Sequence, residues 1–222
     1  MKSWLRSALA LIIIGIAANS RAGELPDGTL LFLENCSSVV ERATHGEIAH
    51  VAIVFCENGR QWVYEATPAK VRRVRLDDYL IDLARSNQRR KEADEIRAFA
   101  LQPQPEYTPD EVAKMRAYLD SQLGRRYSVK NYVRGKPYDG IHCAELTAST
   151  LNASGRCAYS DCHKINPKAL YELVATTHTA QQRVVLPELE VLEPWYVRFQ
   201  RRSLGWMNWC GWSFREAWLF LW

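Results

Sequence analysis

No apolar run in this chain reaches the ~20 residues that a helix needs to span a bilayer, no segment repeats, and none is of low complexity. A bilayer-spanning bundle, a solenoid and a compositionally biased chain are therefore excluded. Charge of one sign is also scarce, with 29 Lys and Arg against 25 Asp and Glu. Losing residues 1–22 would remove Lys2, Arg6 and Arg21 and no acid, leaving 26 basic against 25 acidic residues. A domain so close to neutral lacks the electrostatic footprint of a nucleic-acid binder. The six cysteines show none of the familiar zinc spacings, so neither metal nor cofactor is expected.

What is present is an ordinary globular composition, 47% hydrophobic and 24% charged over 222 residues, which suits one domain with decorations. Residues 1–22 stand apart from it. Lys2 and Arg6 precede the apolar run Ala8 to Ala18, and Ser20-Arg21-Ala22 offers small residues around a cleavage point. This is the pattern of a secretory signal, and an uncleaved N-terminal anchor is the alternative. The expected organisation is a signal over 1–22, a domain over 23–200 and a tail over 201–222, with the mature protein exported to the periplasm or cell envelope. Five of the eight tryptophans fall between Trp206 and Trp222, close to Arg198, Arg201, Arg202 and Arg215. Such a tail suits either a peripheral membrane contact or packing against the domain.

Along the domain, Thr29 to Leu33 reads as a strand, and His50 to Cys56 as a central strand apolar on both faces. Asn58-Gly59 is a hairpin signal, and Gln61 to Ala66 is the returning strand. With Asn58 and Gly59 as the loop, Glu57 faces Arg60, Phe55 faces Trp62 and Ala52 faces Glu65. His50 and Glu65 then share a face as diagonal neighbours, within reach of each other's side chains. A carboxylate beside an imidazole fixes its tautomer and stabilises its charged form. The bland alternative is a strand-capping histidine and a solvated glutamate.

Val71 to Arg75 alternates like a strand, and its arginines are read as a strand face or, alternatively, an anion contact. Leu76 to Arg90 has helical spacing, Glu95 to Leu101 is a strand, and Pro103-Gln104-Pro105 is the clearest linker. Thr108-Pro109-Asp110-Glu111 is a capping box opening a helix that Gly124 ends. Gly124 to Gly140 reads as loop, Asn166-Pro167 starts a further helix through about Thr176, and Arg183 to Leu186 ends the series as a strand.

The stretch from Asp139 to Leu151 carries the chemistry. Asp139-Gly140 turns the backbone, Cys143 falls at a helix start, and Ala144, Leu146, Ala148 and Leu151 continue that helix until Gly155. Unpaired N–H groups and the positive dipole end favour a thiolate there and can hold an oxyanion. A buried structural thiol is the competing reading. If Cys143 is reduced, Cys36, Cys56, Cys157, Cys162 and Cys210 remain, with Cys157 and Cys162 the best local candidates for a bridge. His142, adjacent to Cys143, is a poor base because neighbouring side chains diverge; His45 is the leading substitute for His50.

The segments His50-Val51-Ala52-Ile53-Val54, Val63 to Pro68 with Val71 to Val74, Gly124-Arg125-Arg126-Tyr127 and His142-Cys143-Ala144-Glu145-Leu146 together resemble permuted papain-like hydrolases. The type is YiiX/YebB, within the wider NlpC/P60 superfamily, and the resemblance covers about Leu25 to Gly155. It implies an α+β, circularly permuted papain-like fold with an antiparallel sheet packed on the cysteine helix. It also implies Cys143 as nucleophile, His50 as base, Glu65 as the residue orienting His50, and Tyr127 as an oxyanion or substrate contact. Relatives often carry aspartate where this chain has Ser128, and the tryptophan tail has no counterpart. The expected activity is cleavage of amide bonds in peptide or peptidoglycan substrates. The alternatives are a thiol-dependent acyltransferase or lipid amidase acting on acyl lipids, and a secreted binding module without catalysis.

Overall fold

The structure, a computed structural model, describes residues 25–37, 40–41, 46–136 and 139–189. The expected signal, the substitute base His45, Cys210 and the tryptophan tail lie outside the described residues.

Six strands form one antiparallel sheet: β1 (Thr29–Glu34), β2 (Ile48–Glu57), β3 (Arg60–Ala66), β4 (Val71–Arg75), β5 (Arg97–Leu101) and β6 (Gln182–Val184). Their order is β4-β3-β2-β1-β5-β6. The helices are α1 (Leu76–Asn87), α2 (Pro109–Gln122), α3 (Lys130–Arg134), α4 (Cys143–Ala153) and α5 (Pro167–Val174). The architecture is thus α+β.

Alternation along the strands divides the core in two. Leu31, Leu33, Ala52, Val54 and Val63 pack with Tyr79, Leu80 and Leu83 of α1 on one face. Leu30, Phe32, Val51, Ile53, Phe55 and Tyr64 pack with residues of α2, α4 and α5 on the other. β2 is apolar on both sides because it is covered on both sides.

Asn58 and Gly59, at φ of 53° and 70°, form the tight turn expected of Asn-Gly. The β2–β3 register runs from Glu57↔Arg60 through Phe55↔Trp62 to Ile53↔Tyr64, as the turn dictates. The capping box of α2 is present: Thr108 accepts from the Glu111 N–H, and the Glu111 side chain accepts from the Thr108 N–H.

Several boundaries differ from the sequence expectation. α1 stops at Asn87, whose side-chain amide caps the chain reversal by bonding the Ile96 carbonyl and accepting from the Ile96 N–H. β5 consequently begins at Arg97 rather than Glu95. Gly124 to Gly140 is not all loop, since α3 forms within it and ends at Gly135 in the left-handed region. Pro103 to Pro105 does not separate domains: Pro103 bridges His178, and the Gln104 N–H donates to the Thr177 carbonyl. The candidate Cys157–Cys162 bridge, for which free thiols are the alternative, is not formed. Both thiols are free, and Cys162 donates to the Tyr159 carbonyl while accepting from Asn152.

Candidate active site

The turn before α4 requires its glycine. Gly140 adopts φ of +103°, and a Cβ there would lie 2.7 Å from Ser128 Cβ and 3.1 Å from the Arg126 carbonyl. The Arg126–Ser128 segment runs alongside, with the Ile141 N–H donating to the Arg126 carbonyl at 2.9 Å. This pairing delivers the chain into α4 at Cys143.

His142 caps the helix. Its Nδ1 accepts from the Glu145 N–H at 3.3 Å, and its Nε2 donates to the His163 carbonyl at 3.1 Å. The ring also makes a side-chain hydrogen bond to Cys143, which pushes the imidazole up against its burial and helps hold the thiol down, so the neighbouring side chains do not diverge as expected and His142 is a second partner of the sulfur. The Leu146 N–H donates to the His142 carbonyl. The N–H groups of Cys143 and Ala144 are thus the ones left at the open end of the helix.

The hairpin brings His50 and Glu65 together as its register demands. His50 Nε2 donates to Glu65 Oε2 at 2.8 Å, and Glu65 is 4% exposed. Glu65 Oε1 accepts from Arg72 Nε at 2.7 Å, across the β3–β4 pair Glu65↔Arg72. A side-chain hydrogen bond joins His50 to Cys143. Since Nε2 is given to Glu65, Nδ1 is the nitrogen that faces the sulfur.

Two features of this geometry were not read from the sequence. Arg72, expected as part of a strand face, is the second partner of Glu65. Its signal was the alternation of Val71 to Arg75, which becomes a site feature once β4 is paired with β3. The other feature is a bulge. Leu33 pairs with His50 but Glu34 pairs with Ile48, so β2 carries one extra residue, Ala49, immediately before His50. A bulge bends its strand and re-aims flanking side chains. By alternation His50 belongs to the α1 face, whereas Cys143 opens a helix on the opposite face, and the bulge lies where the two meet.

The electrostatics follow from the contacts. Burial alone would raise the Cys143 thiol, but the charge of His50 beside it, with hydrogen bonding, holds it down at about 6. Burial works against the His50 cation in turn; the Cys143 sulfur and then Glu65 outweigh it and push the imidazole up to about 10. For Glu65, burial is countered by His50 and Arg72, and its carboxyl titrates below the ordinary range. Both shifts favour the thiolate–imidazolium form of the pair.

Tyr127, the fourth residue singled out in the sequence, lies beside this segment through its bridge to Ile141, and its ring is packed in the core at 7% exposure. A cavity of about 690 Å³ opens two residues along β2 from His50, lined by Glu34, Asn35, Glu47, Ile48, Tyr171 and Glu172 among others. Among the described residues no group of three or more His, Cys, Asp or Glu side chains could hold a metal ion.

Fold and site together define an α+β protein in which an antiparallel sheet presents a histidine–glutamate pair to a cysteine at a helix N-terminus. The fold is yiiX-like. The chain is similar to the crystal structure of the metalloprotein yiiX from Escherichia coli O157:H7 (DUF1105), at 15% identity and a TM-score of 0.50. The match covers 74% of this chain and 99% of that one. No family model and no curated protein matches the chain.

Proposed function

We propose that this protein is a cysteine hydrolase of the permuted papain-like type, in the NlpC/P60 superfamily, that cleaves amide bonds. The observation that carries this reading is the unbroken series Cys143–His50–Glu65–Arg72, with the sulfur at the first residue of α4. Cys143 thiolate attacks the substrate carbonyl carbon, and the oxyanion is held by the N–H groups at the open end of α4. Collapse expels the amine, to which the His50 imidazolium gives its proton, and leaves a thioester. Neutral His50 then takes a proton from water, the resulting hydroxide attacks the thioester, and the acid is released with regeneration of the thiolate. Glu65 keeps Nε2 protonated throughout, so Nδ1 is always the nitrogen that exchanges the proton.

Residues 1–22 have the pattern of an export signal, which points to cell-wall peptides as the substrate class. No helix among the described residues is long and apolar enough to cross a membrane. The test is to incubate the purified protein with peptidoglycan fragments and, separately, with N-acyl and ester lipids, and to identify products by mass spectrometry. Amide cleavage of the peptidoglycan peptides by wild type but not by Cys143→Ala is the expected result. Cleavage or transfer confined to the lipids would move the assignment to a lipid amidase or acyltransferase, and no turnover with an unreactive Cys143 would leave a binding module.

A further inference from the structure

Asn131 on α3 is 0% exposed, and its side-chain amide joins the two ends of the segment that carries Cys143. Its Nδ2 donates to the Gly140 carbonyl at 3.1 Å, three residues before the cysteine, and to Glu145 Oε1 and Oε2 at 3.2 and 3.0 Å, two residues after it. Acceptors surround Nδ2, so the orientation of the amide is dictated by its partners. The arrangement leaves Asn131 Oδ1 buried without a partner among the described residues. An unsatisfied buried carbonyl is unfavourable, and an apolar residue would avoid it. The amide is therefore placed for its donors.

Glu145 is the other acceptor of the Asn131 amide. It stands in the first turn of α4 at 8% exposure, where the helix dipole favours a carboxylate. The groups around it are Asn131 from α3, His142 with Nε2 3.8 Å from Glu145 Oε2, Tyr118 from α2, and Cys162 from the short 3₁₀ turn Cys162–Lys164. Cys143 faces His50 of β2 and His142, with Cys36, just beyond β1, also within electrostatic reach. Of these groups, only the Asn131 amide donates hydrogen bonds to the Glu145 carboxylate.

We propose that Asn131 is a positioning residue for the nucleophile: its amide clasps Gly140 to Glu145 and so sets the approach of Cys143 to His50. The inference rests on Cys143 being the nucleophile proposed above. Asn131→Asp keeps the shape and replaces the donor with an anion facing an anion. Both halves of the clasp are then lost, because the Gly140 carbonyl and the Glu145 carboxylate each face an anion, and Cys143 is no longer held against His50.

The test follows iodoacetamide labelling of Cys143 in the full chain across pH, read by peptide mass spectrometry, with circular dichroism reporting the fold. In Asn131→Asp, labelling at pH 6 should fall about fivefold, as when a midpoint near 6 rises by about one unit. Adding Glu145→Gln to that variant restores the α3–α4 half of the clasp with reversed polarity but leaves the Gly140 carbonyl without its Asn131 donor, so the rate should recover in part. An unchanged pH profile in a folded Asn131→Asp protein, or no recovery in the folded double variant, overturns the clasp. If Asn131→Asp does not fold, the double variant against wild type decides alone. A wild-type Cys143 that labels no faster than glutathione at pH 6 would instead sink the nucleophile assignment itself.

Discussion

His50 Nε2 lies 2.8 Å from Glu65 Oε2, though fifteen residues separate them in the chain, because a two-residue turn folds β3 back on β2 in a single register. The same carboxylate meets Arg72, so one buried anion orients the imidazole and is itself oriented by a cation. This row of three side chains is the part of the site that does not depend on any helix.

Catalytic losses should be non-additive. Cys143→Ala and His50→Ala are each expected to reduce turnover to background, and the double variant to be no worse, because nucleophile and base act as a unit. Glu65→Gln should retain partial activity, since the glutamine carbonyl can still accept from Nε2 while charge stabilisation of the imidazolium is lost. Progress curves on a cleaved substrate check this; independent, multiplying losses would contradict it.

The thiolate should be visible without any substrate. Cys143 alkylation is expected to rise through a midpoint of about 6 and to remain fast into alkaline pH, since His50 keeps its proton up to about 10. In His50→Ala the burial of the sulfur is no longer opposed by that charge. The midpoint should then rise toward the ~8.5 of an ordinary cysteine, with the His142 hydrogen bond still working against burial. A midpoint unmoved by His50→Ala would mean that another group holds the thiolate.

Arg72 should matter to stability as well as to the site. Burial would raise the Glu65 carboxyl, yet His50 and Arg72 lower it. A lowered carboxyl stabilises the fold above the ordinary carboxylate range, and this contribution is lost as pH falls through the folded value. Arg72→Met removes one partner from a buried acceptor and should cost about 1–2 kcal/mol at pH 7. It should also shift acid unfolding to higher pH. Urea titrations at pH 7 and pH 4 measure both effects, and the difference between variant and wild type should shrink at the lower pH.

His178 is expected to make the fold acid-sensitive. Burial pushes its imidazole down to about 4, it is 6% exposed, and its Nε2 has no partner among the described residues. The unfolded chain binds this proton near 6.5 and the folded chain only near 4, so stability is lost as pH falls between those values. The loss is on the order of 3 kcal/mol once pH is below both. Thermal unfolding of wild type and His178→Met from pH 7 to pH 4 isolates the contribution. The variant's midpoint should fall less.

What the sequence by itself determined is what short-range geometry controls. Asn58-Gly59 set the hairpin register, and with it the meeting of His50 and Glu65. Asp139-Gly140, followed by helix formers, put Cys143 at the first residue of α4. The capping box fixed the start of α2. Tertiary structure alone decided the rest. The Ala49 bulge is invisible in an apolar run because it appears only as a register mismatch against β1. Arg72 becomes a site residue only when β4 pairs with β3, and Asn131 only when α3 folds against the turn before Cys143. A buried carboxylate or carbonyl must find donors wherever the packed chain supplies them. Those donors are chosen by which elements pack together, which no local spacing encodes.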